Sequence, residues 1–191
     1  NKSLTVEEIF NLAVQSHQEG KTDIAQDLYN QVLKINPSHS QVLNNLAIIF
    51  TNLKEYQKAI DCYEKAIKIN PNYADVHNNL GVVFKGLRND QKAKECYEKA
   101  IELNPNFVNA HYNLGLVFKE LREHQKAKKS FKKVIELNPN HVDANNNLGS
   151  IFTDFKEYQK AKDCYEKAIE INPDYSSAHN NLGAVFQKLG E

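Results

Sequence analysis

The sequence predicts an all-α protein, an array of stacked antiparallel helix pairs, and three observations carry that prediction. The prolines Pro37, Pro71, Pro105, Pro139 and Pro173 stand 34 residues apart, and each follows an asparagine: Asn36, Asn70, Asn104, Asn138 and Asn172. A fixed period of that length marks a stacked repeat rather than a closed domain. Apolar residues recur at i, i+3, i+4 and i+7, as in Leu80, Val83, Phe84 and Leu87, which is the stripe of an amphipathic helix. Small residues return in phase, including Gly81, Gly115, Gly149 and Gly183. Glycine inside a helix costs about 1 kcal/mol, so its recurrence points to the close approach of a neighbouring helix.

Each repeat is numbered here so that its proline is position 32. The repeats then span 6–39, 40–73, 74–107, 108–141 and 142–175, with a further first helix at 176–191, all in a single array over 1–191. The first helix starts after Thr5, where Thr5 and Glu8 have the spacing of a capping box. The second helix of a pair carries its own stripe, such as Ala93, Tyr97, Ala100 and Ile101. Proline cannot continue that helix, and it pushes the asparagine before it out of helical geometry. Restart signals follow at Ser38–Gln41, Asn72–Asp75 and Asn140–Asp143, each read as a capping box. At the last helix, Phe186 and Leu189 would lie on a partly exposed apolar face, so self-association through that helix is one expectation.

Composition narrows the function. Of the 191 residues 41% are hydrophobic, enough for a sizeable core, while 24 Lys+Arg against 24 Asp+Glu leave no net field to hold a phosphate backbone. Neither nucleic acid nor a membrane is an expected partner: no apolar run approaches the ~20 residues needed to span a bilayer. A cytoplasmic protein is expected, although the chain lacks an initiator Met and reads as a piece of something longer. Cys62, Cys96 and Cys164 share position 23, so they would lie in separate layers, too far apart to bridge. No HExxH, paired CxxC or Gly-rich phosphate loop occurs, so no catalytic residue, metal or cofactor is assigned. Lys126, Lys128, Lys129, Lys132 and Lys133 make the fourth repeat locally basic, either a solvated convex face or a dock for an acidic partner.

Position 7 is leucine throughout (Leu12, Leu46, Leu80, Leu114, Leu148, Leu182), and position 8 is Ala13, Ala47 and then the four glycines. Position 11 is Phe50, Phe84, Phe118, Phe152 and Phe186 after Ser16. Position 20 is Ala25, Ala59, Ala93, Ala127 and Ala161, and position 24 is Tyr29, Tyr63, Tyr97, Phe131 and Tyr165. This pattern resembles the tetratricopeptide repeat, abbreviated TPR. It departs at position 4, where the family's Trp is replaced by Ile9, Leu43, His77, His111, Asn145 and His179; these histidines are read as structural. The resemblance implies a right-handed superhelical solenoid whose concave groove, lined by the first helices, holds an extended peptide.

Positions 2, 6, 9 and 13 form one stripe at helical spacing. Position 6 is asparagine in every repeat: Asn11, Asn45, Asn79, Asn113, Asn147 and Asn181. Position 12 (His17, Thr51, Lys85, Lys119, Thr153, Gln187) and position 13 vary freely, so composition bias does not explain the column. An amide offers both donor and acceptor, and can pair with a peptide backbone without reading its sequence. The alternative is a structural amide bond between helices. The column is similar to the asparagine ladders of the repeat half of O-linked N-acetylglucosamine transferase and of kinesin light chain, and "HNNLGVVFKGL" and "HYNLGLVFKEL" resemble first helices of the former. Candidate peptide-binding residues are therefore that column together with Asn78, Asn146, Lys85, Lys119, Asp75 and Asp143. A carboxylate clamp for chaperone tails is absent, because positions 5 and 9 lack its Lys and Asn. The expected function is a non-catalytic scaffold for an extended protein segment; the alternative is the substrate-recognition region of a larger, glycosyltransferase-like enzyme.

Overall fold

The computed structural model describes residues 4–190. Those residues form eleven α-helices and no strand: α1 (Val6–Gln18), α2 (Thr22–Ile35), α3 (Ser40–Asn52), α4 (Tyr56–Ile69), α5 (Ala74–Gly86), α6 (Asp90–Leu103), α7 (Val108–Glu120), α8 (His124–Leu137), α9 (Val142–Asp154), α10 (Tyr158–Ile171) and α11 (Ser176–Leu189). They group into two units, α1–α6 within Asn1–Leu103 and α7–α11 within Asn104–Glu191. Each unit is a helical-repeat solenoid. In the first, α1 packs on α2, α3 on α4 and α5 on α6, with α2 against α3 and α4 against α5. In the second, α7 packs on α8 and α9 on α10, while α11 lies against both α10 and α9.

The core of each pair is an aromatic ring seated over a small residue. Tyr29, Tyr63, Tyr97, Phe131 and Tyr165 are fully buried, as are Ala25, Ala59, Ala93, Ala127 and Ala161 one turn earlier. Each buried ring contributes about 2–3 kcal/mol from area removed from water. The expected close approach at position 8 is present. A Cβ on Gly81 would stand 2.6 Å from Tyr97 Cε1, one on Gly115 2.7 Å from Phe131 Cε1, and one on Gly149 2.6 Å from Tyr165 Cε1. In the second to fifth repeats a lysine from the second helix lies over the position-11 phenylalanine of the first: Lys58 over Phe50, Lys92 over Phe84, Lys126 over Phe118 and Lys160 over Phe152, at 5.0–5.7 Å.

The turn inside each pair has a cost that the sequence does not announce. In the second repeat Lys54 N donates to Thr51 O and Glu55 N to Phe50 O, a Schellman motif that holds Lys54 left-handed at φ 60°. Arg88, Arg122 and Lys156 sit in the same conformation, whereas the first repeat and the end of α11 use glycine there, Gly20 and Gly190. Each non-glycine residue gives up about 1 kcal/mol.

The turn between repeats corrects three expectations. The capping boxes at Ser38–Gln41, Asn72–Asp75 and Asn140–Asp143 do not form. The side-chain oxygen of the asparagine before each proline instead accepts the backbone N–H two residues on, as Asn36 Oδ1 does from Ser38, Asn70 from Asn72 and Asn138 from Asn140, at 3.2–3.3 Å. This Asx turn occupies residues 38, 72 and 140, so the N-cap moves one residue further, to His39, Tyr73 and His141. His39 and His141 cap through Nδ1, accepting from Val42 N and Ala144 N. The box at Thr5–Glu8 does form.

Position 4 ties down the same turn. His77, His111 and His179 each set Nε2 2.8–3.0 Å from the carbonyl of Pro71, Pro105 and Pro173, which requires Nε2 to donate. Asn145, 4% exposed, reaches Pro139 O at 3.5 Å and His141 O at 3.0 Å from one amide nitrogen. From the third repeat on, a polar donor at position 4 is thus a strut on the proline carbonyl, a contact that asparagine can make in place of histidine.

Candidate functional site

The first helix of each repeat carries the candidate residues, and helical periodicity sorts them. Position 2 (Asp75, Asp143) and position 13 (Asn52, Gly86, Glu120, Asp154) are exposed. Val82 at position 9 is 41% exposed. Between them stand Asn45 and Asn79 in the first unit and Asn113, Asn147 and Asn181 in the second, all half-buried, with Asn11 exposed on α1.

The position-6 amides are not idle. Asn79 Nδ2 donates to Asn44 Oδ1 of the preceding repeat at 3.2 Å, Asn181 Nδ2 to Asn146 Oδ1 at 3.0 Å, and Asn147 Nδ2 to Tyr112 Oη at 3.4 Å. In every case the acceptor belongs to position 5. Position 5 of the first repeat is Phe10, which has no side-chain acceptor, and Asn45 donates instead to Tyr29 Oη at 3.1 Å. In the first unit these bonds join into a relay, because Asn78 donates to Asn79 Oδ1 at 3.2 Å and Asn44 to Asn45 Oδ1 at 3.3 Å. The chain runs Asn78, Asn79, Asn44, Asn45, Tyr29 across three repeats, with each amide polarising the next.

Asn78 is corrected by this arrangement. It is 6% exposed, as is Asn44, and it supports Asn79 from behind rather than facing outward. Asn146 is half-buried and accepts from Asn181. Position 12, although it varies freely, is half-buried in five of the six repeats. Thr51 and Thr153 turn their hydroxyls onto the carbonyls of Ala47 and Gly149. Lys85 pairs with Asp90 at 3.0 Å, and Lys119 Nζ donates to Asn147 Oδ1 at 2.9 Å. Burial pushes the Lys119 ammonium below its usual range, with the nearby Asp154 partly opposing.

The two units differ in what their amides have left to give. Asn45 and Asn79 each use one N–H and one lone pair in the relay, leaving one of each for a ligand. Asn147 donates to both Tyr112 Oη and Asp143 O while accepting from Lys119, so it has no N–H left. Asp143 in turn accepts from Tyr175 Oη at 2.6 Å, and burial, then that bond, pushes the Tyr175 phenol up to about 12. Beside them an open pocket of about 510 Å³ is lined by Lys119, Glu120, Arg122, His124, Ser150 and Asp154, a mixture of both charges.

On the second helices the basic run of the fourth repeat is interleaved with acids. Lys126 pairs with Glu123, Lys128 with Glu157 at 3.9 Å, and Lys133 with Glu136 at 2.7 Å. Cys62, Cys96 and Cys164 are free and half-buried, and burial pushes the thiols of Cys96 and Cys164 up to about 11. Among the described residues no group of three or more His, Cys, Asp or Glu side chains is placed to hold a metal ion, and no helix is long and apolar enough to cross a membrane.

Sequence reasoning missed the position-5 acceptors. The signal was present in the Asn-Asn pairs 44–45, 78–79, 146–147 and 180–181. Which asparagine pairs with which depends on how neighbouring helices stack.

Comparison with known proteins agrees with this architecture. The tetratricopeptide repeat model matches residues 40–73, 74–107 and 108–141, more than half of the chain, and related TPR models match 130–163 and 149–190. Among solved structures, YrrB, described as a TPR protein with an unusual peptide-binding site, is 25% identical over 92% of this chain and 91% of its own, with a TM-score of 0.74. MamA is 25% identical over 86% of this chain and 96% of its own, with a TM-score of 0.76. PilF of Pseudomonas aeruginosa, 23% identical over 96% and 91%, shares the fold at a TM-score of 0.80. No curated protein matches the chain.

Proposed function

The chain belongs to the tetratricopeptide repeat family, and from that premise we propose that it is a non-catalytic protein-interaction scaffold whose first helices hold an extended peptide segment through the position-6 asparagines. Proteins of this family generally mediate protein–protein interaction, and YrrB is described as binding peptide. The observation that carries the reading is the unspent hydrogen-bonding capacity of Asn45 and Asn79, on half-exposed side chains bordered by exposed positions 2 and 13 and, beside Asn79, by exposed Val82. An N–H and a lone pair on one amide match the C=O and N–H of an extended backbone. Helices stacked about 10 Å apart would meet roughly every third residue of a strand rising ~3.3 Å per residue. Asp75 and Val82 beside Asn79 favour a peptide of mixed, moderately polar composition.

The relay adds a reason for asparagine rather than another polar residue. An amide held from behind by Asn44 or Asn78 has its orientation fixed before a ligand arrives, so less entropy is lost on binding.

The test uses an immobilised array of random extended peptides to find a binder, followed by anisotropy titration of that binder against the wild-type chain and the double variant Asn45→Ala, Asn79→Ala. Each lost bond is worth about 1 kcal/mol and each of the two amides offers two, so binding should weaken by about 100-fold or more. Unchanged binding sinks the ladder. A loss of binding that merely follows loss of helix content assigns the column to structure alone.

A further inference from the structure

Two of the strained turn residues carry side chains that the fold does not use. Lys54 and Arg88 stand left-handed at φ 60° and 58° in neighbouring repeats of the first unit, where the first repeat avoids the strain with Gly20. Both are exposed, and no acid among the described residues pairs with either. The acids that adjoin them in sequence are engaged elsewhere, Glu55 with Lys58 and Asp90 with Lys85 at 3.0 Å. Each cation follows a leucine left open at the same turn, Leu53 at 50% exposure and Leu87 at 46%. The bonds that close these turns use backbone atoms alone, so glycine would serve the fold better at both places. A strained conformation kept by a charged side chain points to a role for that side chain.

The two cations stand at one rim of the face that carries the asparagine column. Positions 6, 9 and 13 run up the first helix toward the turn, from Asn45 and Asn79 past Ile48 and Val82 to the exposed and uncharged Asn52 and Gly86. Position 15 lies nine residues beyond position 6, about 14 Å along the helix. When the backbone of an extended peptide meets the amides, its N–H and C=O point into the face, and its side chains stand alternately toward the turn rim and toward the opposite rim. A ligand carboxylate and the long stem of Lys54 or Arg88 meet across that span, with exposed Val82, Leu53 and Leu87 for their methylenes to cover. The opposite rim, at position 2, carries Glu7, Gln41 and Asp75, all exposed, and the two carboxylates turn an acid away.

We propose that Lys54 and Arg88, with Leu53 and Leu87, form a specificity rim on the first unit that selects an extended peptide bearing Asp or Glu at alternate residues, on the side of the strand that faces the turns. This rests on the peptide-holding role of Asn45 and Asn79, and adds the class of sequence that the amides themselves do not read. The two charges lie one repeat apart, about 10 Å, while alternate residues of a strand recur every ~6.6 Å, and the flexible stems take up the difference. An anionic membrane is a poorer fit, because two cations and two leucines fall short of the paired signals that stable anchoring takes.

The probes are fluorescein-labelled peptides of roughly twelve residues, long enough at ~3.3 Å per residue to cross three repeats: alternating Glu-Ser, alternating Gln-Ser, and one with the same Glu residues made consecutive. Titrated with the 191-residue chain at low ionic strength, the alternating Glu peptide should bind about five- to tenfold more tightly than the neutral one, a preference that fades in high salt. The consecutive peptide, half of whose acids then face the acidic rim, should fall between the two. Lys54→Gly with Arg88→Gly should bring the Glu peptide down to the affinity of the neutral one while raising the melting temperature, and Lys54→Glu with Arg88→Glu should transfer the preference to alternating Lys-Ser. A Glu preference that survives the glycine pair overturns the proposal, as does consecutive Glu bound as well as alternating Glu. Equal binding of the Glu and neutral peptides, lost for both in Asn45→Ala with Asn79→Ala, overturns the rim and leaves the ladder standing. A Glu preference that is indifferent to those asparagines sinks the ladder and the strand alternation with it. Binding to phosphatidylserine vesicles that the glycine pair abolishes assigns the rim to a lipid surface and likewise overturns the proposal.

Discussion

The same substitution at two equivalent glycines should move stability in opposite directions. Gly149→Ala places a methyl 2.6 Å from Cε1 and 2.9 Å from Cδ1 and Cζ of Tyr165, a ring that is 2% exposed and must shift to make room. Overpacking of this kind costs about 1–3 kcal/mol, and replacing a helical glycine returns about 1 kcal/mol, so the expected net loss is about 1 kcal/mol. Ala13 and Ala47 occupy the same repeat position beside Tyr29 and Tyr63, so a methyl is tolerated where the ring is seated differently. The cost is therefore that of shifting Tyr165, not outright exclusion. Gly183→Ala meets nothing within 4 Å, and only the propensity gain of about 1 kcal/mol remains. The two variants should differ by about 2 kcal/mol. Urea unfolding followed by far-UV circular dichroism gives the sign. Amide hydrogen exchange in α9 and α11 separates the local effects, because stacked repeats open segment by segment. If both variants shift the same way, the close-packing explanation of the position-8 glycines is refuted.

Three further outcomes follow from the geometry. Replacing the left-handed Lys54, Arg88, Arg122 and Lys156 by Gly should raise stability by about 0.5–1 kcal/mol each, and Gly20→Ala should lower it by about 1 kcal/mol, as read from urea midpoints; indifference at all five sites would remove the strain argument. Asn44→Ala and Asn79→Ala, alone and combined, should show a coupling of about 1 kcal/mol in a double-mutant cycle, whereas additive effects would mean that the relay carries no energy. The buried Cys96 and Cys164 thiols, pushed up to about 11 from an ordinary value of 9.0, stay protonated in the folded chain where the unfolded chain ionises. The unfolded state then binds fewer protons, so this contribution is fully present below pH 9 and is lost as pH rises from 9 towards 11. Their alkylation at pH 8 should be slow until urea is added, and fast labelling of the native chain would contradict the burial.

Much of the architecture was legible because each repeat repeats its physics. A 34-residue period, a leucine–glycine step and an in-phase aromatic require two helices of set length that meet face to face, and this holds whatever the distant surroundings. Residues acting within one turn were less legible when two local options competed. Ser38, Asn72 and Asn140 had the right spacing for capping boxes, yet the asparagine two residues earlier took their N–H first. The histidines at position 4 were readable as structural but not as struts on a proline carbonyl, since that contact exists only once the Asx turn has bent the chain back over the helix.

The candidate site divides along the same line. The chain itself determined that one face of every first helix carries an asparagine, because helical spacing places positions 2, 6, 9 and 13 together regardless of packing. Only the stacking of one repeat on the next decided what those asparagines do. It puts position 6 against position 5 of the preceding repeat, buries Asn44 and Asn78 as supports, and takes the N–H of Asn147 that its own helix leaves free while leaving Asn45 and Asn79 a donor and an acceptor each. Position along a helix is a local property of the chain, whereas the partner of a side-chain amide is set by distances between helices 34 residues apart in sequence.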